Sequence, residues 1–198
     1  MKKFELTTDE IKRNGVTLYR IKALIDFGDV KAGDLGGYVK KEENLSQYDN
    51  AWVYGNAWVY GDARVSGNAC VCDDALVFGN ALVFGNARVS GNACVYGNAW
   101  VFDNAWVRGN AQVYDNAQVY DNAWICSNAD YIYLKGFGSY NRSTTMFRAK
   151  SGNIYVSCGC FSGTLEEFES KVKETHGNNK FAKEYLALVE AAKIHFEV

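Results

Sequence analysis

The segment from Gly138 to Arg148 contains the side chains best suited to bind a ligand. Its first residues are small turn residues that leave backbone N–H groups free, and hydroxyl and amide side chains add further donors. Arg142 and Arg148 supply planar guanidinium groups that fit phosphate or carboxylate. The segment predicts a site for a small anionic ligand, with a solvated hairpin flank as the alternative. The predicted ligand-binding residues are Ser139, Asn141, Arg142, Thr144, Thr145 and Arg148.

Cysteine and histidine residues are present without a recognisable metal motif. Cys158 and Cys160 could supply two thiolates, with His176 as a third ligand. A structural zinc site usually has four ligands, often with CxxC spacing, so we predict no metal site and no cofactor. Cys70 and Cys72 belong to one unit of a repeat, and we expect these thiols to take the place of aromatic side chains rather than to react.

The elements that position these residues are dominated by a repeat. From Asp49 to Cys126 the chain consists of thirteen consecutive six-residue units that read Gly/Asp, Asn/Asp, Ala, x, Val, x. Ala and Val recur at intervals of two and four residues, which is strand alternation interrupted by a turn and not the period of a helix. The Gly-Asn and Asp-Asn pairs enter left-handed backbone at low cost and mark the turns. Three units per coil predict a triangular solenoid of about four coils with Ala and Val inside.

The x-Val-x-Gly-Asn-Ala register resembles the hexapeptide-repeat family, whose members form left-handed parallel β-helices. Residues 18–21, 27–37 and 43–46 are similar to the entry region of prophage-type β-solenoid proteins, which are often described as acyltransferases. Residues 138–142 and 158–168 resemble a module that recurs at the ends of phage-encoded repeat proteins. The resemblance implies a mainly β fold: an N-terminal cap over 1–48, a left-handed parallel β-helix over 49–130 and a small C-terminal α+β module over 131–198.

The fourth and sixth positions of each unit point outward, and many of them are aromatic. The first aromatic file consists of Tyr60, Phe78, Tyr96 and Tyr114, and the second aromatic file consists of Phe84, Phe102 and Tyr120. Stacking within one chain would account for them, but so much apolar surface favours burial in an oligomer or on a partner. Since hexapeptide-repeat proteins typically form trimers, the resemblance implies a homotrimer. The predicted interface residues are Trp58, Tyr60, Phe78, Phe84, Tyr96, Trp100, Phe102, Tyr114 and Tyr120.

Regular structure is also predicted on both sides of the repeat. Strands are expected over 3–6 and 16–24 before it and over 131–135, 144–149 and 153–157 after it. Thr164 and Glu167 form a capping box that begins a helix running to His176 and ending at Gly177, and a second helix reaches about Phe196.

The composition excludes several classes of protein. The 198 residues include 21 Lys and Arg against 23 Asp and Glu, and 48% are hydrophobic, which predicts a folded chain. The formal net charge of −2 argues against general nucleic-acid binding. The early charges argue against a signal peptide, and no apolar stretch is long enough to cross a membrane. We expect a protein of the bacterial host cytoplasm with reduced cysteines.

Groups suited to catalysis are scarce. Acyltransferases with such repeats commonly use a histidine as the base, but the repeat contains none, and His176 and His195 lie in the predicted helices. We predict no catalytic residue and expect a non-enzymatic, phage-derived binding protein. Its C-terminal module would bind a host protein or a small, nucleotide-like anion, with inhibition of a bacterial defence system as a natural specialisation. The alternatives are an acyltransferase that uses acyl-CoA and a structural assembly protein.

Overall fold

The structure is a computed structural model that describes residues 1–13 and 15–198. The chain begins with an antiparallel hairpin of β1 (Phe4–Arg13) and β2 (Val16–Ala23). Strand β3 (Leu35–Val39) pairs antiparallel with β2 on one edge and parallel with the solenoid on the other. The hairpin is thereby joined to the first coil through continuous sheet hydrogen bonding.

The repeats form a parallel β-solenoid of about 5 turns. Each repeat contributes one two-residue strand, and strands 18 residues apart pair in parallel, as Cys70 does with Arg88. The repeats alone predict about four coils; the structure has more because β3 and Leu45 pair with the solenoid before residue 49. The thirteen repeat strands are β4 (Trp52–Val53), β5 (Trp58–Val59), β6 (Arg64–Val65), β7 (Cys70–Val71), β8 (Leu76–Val77), β9 (Leu82–Val83), β10 (Arg88–Val89), β11 (Cys94–Val95), β12 (Trp100–Val101), β13 (Trp106–Val107), β14 (Gln112–Val113), β15 (Gln118–Val119) and β16 (Trp124–Ile125).

Three parallel sheets form the three faces of the solenoid. The first face carries β3-β5-β8-β11-β14, the second carries β6-β9-β12-β15, and the third carries β4-β7-β10-β13-β16. The Ala and Val side chains fill the interior, and each of them is at most 1% exposed. The predicted inward positions are therefore confirmed, and the stacked methyl groups supply the solenoid core.

The turns of the solenoid depend on the first residue of each unit. Every one of these Gly or Asp residues has a φ between 53° and 73°, so the first residue takes the left-handed conformation and the asparagine beside it does not. Most of the asparagines instead form ladders, in which the Nδ2 of one residue donates to the Oδ1 of the asparagine one coil further on. Asn50, Asn68, Asn86 and Asn104 form one such ladder, with distances of 3.0 to 3.1 Å.

The C-terminal module is an antiparallel sheet covered by two helices. The sheet consists of β17 (Tyr131–Phe137), β18 (Arg142–Arg148), β19 (Ile154–Cys158) and β20 (Phe161–Thr164), in that order. The three predicted strands are confirmed, and β20 is an addition. Helices α1 (Leu165–His176) and α2 (Lys180–Phe196) follow, and the capping box between Thr164 and Glu167 is present.

Alternate residues of β18 join the two hydrophobic cores of the molecule. Met146 packs among the residues beneath the helices, whereas its neighbour Phe147 packs with the solenoid core. Tyr120, at the last outward position of the second face, lies 5.1 Å from Phe147 between ring centroids. The terminal sheet thus covers the end of the solenoid, where unpaired strand edges would otherwise be exposed.

Candidate functional site

Arg142 is the first residue of β18 and lies where the terminal sheet, helix α1 and the end of the solenoid meet. It is half-buried, and its guanidinium group lies 4.9 Å from the centre of the Tyr140 ring. Gly159 lies so close to the guanidinium that a Cβ atom at this position would collide with it. The absence of a side chain at Gly159, which has a φ of +63°, therefore provides the space that Arg142 occupies.

Two clefts share Arg142 and Cys160. The first cleft, of about 370 Å³, lies between the sheet and helix α1 and is lined largely by aromatic and aliphatic side chains. The second cleft, of about 360 Å³, lies between the sheet and the last coil and is lined by hydroxyl and amide groups. The remaining residues of the first cleft are Ser139, Tyr140, Cys158, Phe161, Phe168, Lys171, Val172, Thr175, His176 and Tyr185. Those of the second are Asn116, Gln118, Ser143, Thr145, Ser157 and Gly159.

The charges around both clefts are positive. Arg142 and Lys171 line the first cleft, Arg142 lines the second, and no Asp or Glu among the described residues lines either cleft. Within the described residues Arg142 forms no ion pair, in contrast to Arg148, which lies 3.9 Å from Asp130. Lys171 pairs with Glu174 on the exposed side of α1. Arg142 is therefore a partly buried cation whose N–H donors have no carboxylate partner in the part of the chain that the structure describes.

A chain of hydrogen bonds runs through Cys158 and Tyr185 in the wall of the first cleft. Thr144 Oγ1 lies 3.2 Å from Cys158 Sγ, which lies 3.7 Å from the phenol oxygen of Tyr185. The Tyr185 hydroxyl donates to the carbonyl oxygen of Phe137 at 3.4 Å. Burial, followed by the nearby Cys158 thiol, raises the pKa of Tyr185 to about 12, so this phenol remains protonated at neutral pH and can act as a donor.

The structure brings together only some of the predicted ligand-binding residues. Ser139 and Arg142 line the first cleft, and Thr145 lines the second. Thr144 is completely buried, and its hydroxyl is engaged with Cys158. Asn141 is exposed in the turn before β18 with a φ of 49°, and it lines neither cleft.

Arg148 lies at the opposite end of β18 from Arg142. Its Nη2 donates to the carbonyl oxygen of Phe196 at 2.7 Å, and its guanidinium lies over the Phe196 ring. These contacts hold the end of α2 against the sheet. The two arginines are the first and last residues of a seven-residue strand, so their guanidinium groups are too far apart to bind a single small anion together.

Several residues of the two clefts were not predicted from the sequence. Lys171, Thr175 and Phe168 come from α1, where their spacing of three and four residues places them on neighbouring positions of one helix surface. That spacing in the sequence could have indicated that these three side chains lie together. The contributions of Asn116 and Gln118 depend on how the module packs on the last coil, which no local pattern indicates.

Cys158, Cys160 and His176 all line the first cleft. Cys158 is buried and hydrogen bonded, whereas Cys160 is exposed. Among the residues that the structure describes, no three His, Cys, Asp or Glu side chains are grouped closely enough to hold a metal ion.

The two aromatic files form stacked ladders along the solenoid. Tyr60, Phe78 and Tyr96 lie 5.0 Å apart between ring centroids, with their rings nearly parallel. Most of these rings are half-buried by their neighbours, and Trp100 and Tyr114 remain 42% and 38% exposed.

Tyr120 differs from the other predicted interface residues. It is only 6% exposed because Phe147, Val156 and Ser162 of the terminal sheet cover it. It is therefore not accessible to a second chain in this structure. Similarly, Trp52 occupies an outward position but is only 1% exposed, since Phe4 and Phe27 of the N-terminal region pack on it.

Comparison with protein families finds the YdcK beta solenoid repeat, which matches residues 57–73 and 111–127. Both stretches lie in the solenoid, so the match agrees with its architecture and leaves the C-terminal module unassigned. A comparison with curated proteins found no match. Neither helix in the described part of the chain, α1 or α2, has the length and apolar character needed to cross a lipid bilayer.

Proposed function

We propose that this protein is a binding protein whose C-terminal module captures a small anionic ligand at Arg142. The observation that carries the proposal is that Arg142 borders both clefts and has no ion-pair partner in the described chain. No carboxylate of the described residues lines either cleft. A guanidinium group in a partly enclosed site binds phosphate or carboxylate through short, charge-assisted hydrogen bonds.

The different linings of the two clefts support a ligand with three chemical parts. An anionic group would bind at Arg142, and Lys171 would add a second positive charge. A flat apolar part fits the first cleft, where Phe161 and Phe168 line the wall. A hydroxyl-bearing part fits the second cleft, where Gln118 and other amide or hydroxyl groups offer donors and acceptors. A nucleotide-like anion combines these parts.

The solenoid would act as the scaffold that presents this module. We propose a homotrimer in which the half-exposed aromatic files of adjacent chains pack together, as is typical of the hexapeptide-repeat proteins that the sequence resembles. In the same proposal the protein is of phage or prophage origin, acts in the host cytoplasm, and removes a small anionic signal from a bacterial defence system. Binding to a host protein remains an alternative for the same module.

Isothermal titration calorimetry with a panel of nucleoside monophosphates and diphosphates tests the proposed ligand class. Arg142→Gln removes the charge and fork, and we expect it to weaken binding about 10- to 100-fold. Arg142→Lys retains the charge and restores only part of the affinity. Arg13→Gln removes an exposed arginine of β1 and leaves the affinity unchanged. Equal affinity for wild type and Arg142→Gln, or no binding to wild type at millimolar concentration, would refute the proposal.

The acyltransferase alternative depends on His176, because this histidine lines the first cleft beside Arg142. Its ring lies 5.9 Å from that of Tyr185 between centroids, within an aromatic surrounding. Turnover of acetyl-CoA that is lost in His176→Ala would favour this alternative over a binding protein. Nucleotide binding without acetyl-CoA turnover favours the binding protein.

A further inference from the structure

A pair of thiols lies on the third face of the solenoid, away from the clefts at Arg142. Cys70 and Cys72 lie on either side of the buried Val71, so both point outward. Strand β7 pairs with β4 on one side and with β10 on the other, which places Cys70 next to Trp52 and next to Arg88 in exact register. Both thiols are half-buried, and neither forms a disulfide in the structure.

Cys70 borders a cleft of about 390 Å³ between the N-terminal region and the third face. Arg88 lines this cleft, and its guanidinium lies 5.1 Å from the centre of the Trp106 ring, which fixes the side chain along the face. Tyr54 of the third face and Asp29 of the N-terminal region also line it. The cleft is large enough for a small molecule to reach the sulfur, and its arginine can interact with a negatively charged one.

The surroundings of Cys70 favour its thiolate. The pKa of Cys70 is lowered to about 7, first by the neighbouring Cys72 thiol and then, against the effect of burial, by the adjacent Arg88. The pKa of Cys72 is raised by its interaction with Cys70, by burial and by the negative charges of Cys70 and Asp73. Cys72 also lies 3.8 Å from the carboxylate of Asp73, which accepts from Gly91 N.

Cys94 provides an internal comparison. It occupies the same position of its unit as Cys70, but its neighbours in the adjacent coils are Leu76 and Gln112 instead of Trp52 and Arg88. Burial raises the pKa of Cys94 above its ordinary value. The repeat therefore presents two thiols at equivalent positions, of which Cys70 has a cation and a second thiol beside it and Cys94 has neither.

We propose that Cys70 is a modification site that forms a mixed disulfide with small disulfide molecules. The Cys70 thiolate attacks one sulfur of the small disulfide, the S–S bond of that molecule breaks, and a new S–S bond to Cys70 forms. The electron pair of the broken bond leaves with the second sulfur as a thiolate, which takes a proton from water. The small disulfide is the oxidant: one half remains attached to Cys70 and the other is released as the reduced thiol.

Cys72 acts in this site as a hydrogen-bond donor rather than as the thiol that displaces the adduct. Two residues along a β-strand separate Cα atoms by about 6.6 Å, which is close to the upper limit for a disulfide. Its raised pKa also keeps Cys72 protonated and slow to attack. The adduct on Cys70 therefore persists. This proposal differs from the expectation from the sequence pattern, in which Cys70 and Cys72 do not react.

The test uses oxidised glutathione as the probe and the folded full-length chain at pH 7 as the substrate. The exposed Cys160 is replaced by Ser in every sample, because it would react independently. Trypsin cleavage after Arg64, Arg88 and Arg108 places Cys70 and Cys72 in one peptide and Cys94 in the next, and fragmentation separates Cys70 from Cys72. In Arg88→Gln, which lacks the middle cleavage site, one peptide contains all three thiols and fragmentation assigns the adduct among them. Timed quenching followed by peptide mass spectrometry then gives the rate at each thiol.

We expect Cys70 to react at least about tenfold faster than Cys94, because a larger fraction of it is thiolate at pH 7. Arg88→Gln and Cys72→Ala should each slow Cys70 several-fold and leave Cys94 unchanged, while Cys72→Ser retains a donor and restores the rate. Arg88→Lys keeps the charge, so Cys70 in this variant should react nearly as fast as in wild type. It serves as the comparison if Arg88→Gln does not fold. Equal rates at Cys70 and Cys94, or a Cys70–Cys72 disulfide instead of the glutathione adduct, would overturn the proposal.

Discussion

The phenol oxygen of Tyr120 lies 2.7 Å from the hydroxyl oxygen of Ser162, so a hydrogen bond joins the last coil of the solenoid to the final strand of the terminal sheet. The Tyr120 ring also contacts Phe147 edge-on and Phe102 face-on. This junction fixes the terminal sheet on the solenoid. Because the second cleft is lined from both sides of the junction, the position of the sheet determines the shape of the site around Arg142.

Replacing Tyr120 should destabilise the protein strongly. Tyr120→Ala removes a buried ring, and we expect it to lower the free energy of unfolding by about 3–5 kcal/mol, whereas Tyr120→Phe removes only the hydroxyl and costs about 1 kcal/mol. Urea denaturation followed by tryptophan fluorescence measures both. The matched control is Tyr114→Ala in the first aromatic file, which should cost less because Tyr114 is 38% exposed. Equal losses at the two positions would contradict a special role for the junction.

A side chain at a solenoid turn should disrupt the contact between coils. Gly67 has a φ of +68°, and a Cβ atom there would lie 2.9 Å from the backbone nitrogen of Gly85. Gly152 also has a positive φ, but a Cβ atom there has open space around it. Both alanine variants carry a backbone cost of about 1–2 kcal/mol. We expect Gly67→Ala to lower the melting temperature more than Gly152→Ala does, and similar shifts would contradict the close stacking.

The stability of the N-terminal region should depend on pH through Lys3. This residue is 2% exposed, and its Nζ donates to the carbonyl oxygens of Tyr48, Asp49 and Ala51. Burial lowers its pKa to about 8, from 10.5 in the absence of the fold, although the charge of Asp49 acts in the opposite direction. Between these values the unfolded chain binds more protons than the folded chain, so the contribution of Lys3 to stability rises with pH.

The measurement is the free energy of unfolding of wild type and Lys3→Met at several pH values from 7 to 10. The difference between the two proteins isolates Lys3 from the tyrosines that ionise in the same range. We expect the free energy of unfolding of wild type to rise relative to Lys3→Met by up to about 1.4 kcal/mol per pH unit above pH 8. A difference that stays constant with pH would contradict the lowered pKa.

The proposed trimer should depend on the aromatic files. Tyr96→Ser together with Phe102→Ser interrupts both files near their middle, and we expect this double variant to elute as a monomer in size-exclusion chromatography with light scattering. Tyr48→Ser is the control, because Tyr48 is 81% exposed and lies outside both files. An unchanged oligomer in the double variant would show that these faces are not the interface.

The solenoid was predictable because its signals are local and repeated. One unit contains the Ala and Val that fill the interior and the Gly or Asp that forms the turn. Each of the thirteen units therefore predicts the same short strand and turn. The capping box of Thr164 and Glu167 predicted the start of α1 for a similar reason, since both partners lie within one helical turn. The winding direction of the coil was expected from the resemblance alone.

The candidate site was less predictable because it depends on long-range packing. Alternation along β18 turns Thr144 toward the helix side and Thr145 toward the solenoid, and the length of the strand separates Arg142 from Arg148. The burial of Tyr120 likewise follows from where the terminal sheet docks. A linear motif over 138–148 therefore contained the central arginine but could not show which of its neighbours face the same cleft.

Native mass spectrometry of wild type and Arg142→Gln, each purified gently from a bacterial host, tests the central claim most directly, because it reads the subunit count and any retained ligand together. We predict that wild type has the mass of three 22.0 kDa chains with a discrete small anionic adduct, and that Arg142→Gln is a trimer without the adduct. An adduct retained equally by Arg142→Gln, or a ligand-free wild type to which added nucleotides do not bind, would contradict an anion site at Arg142.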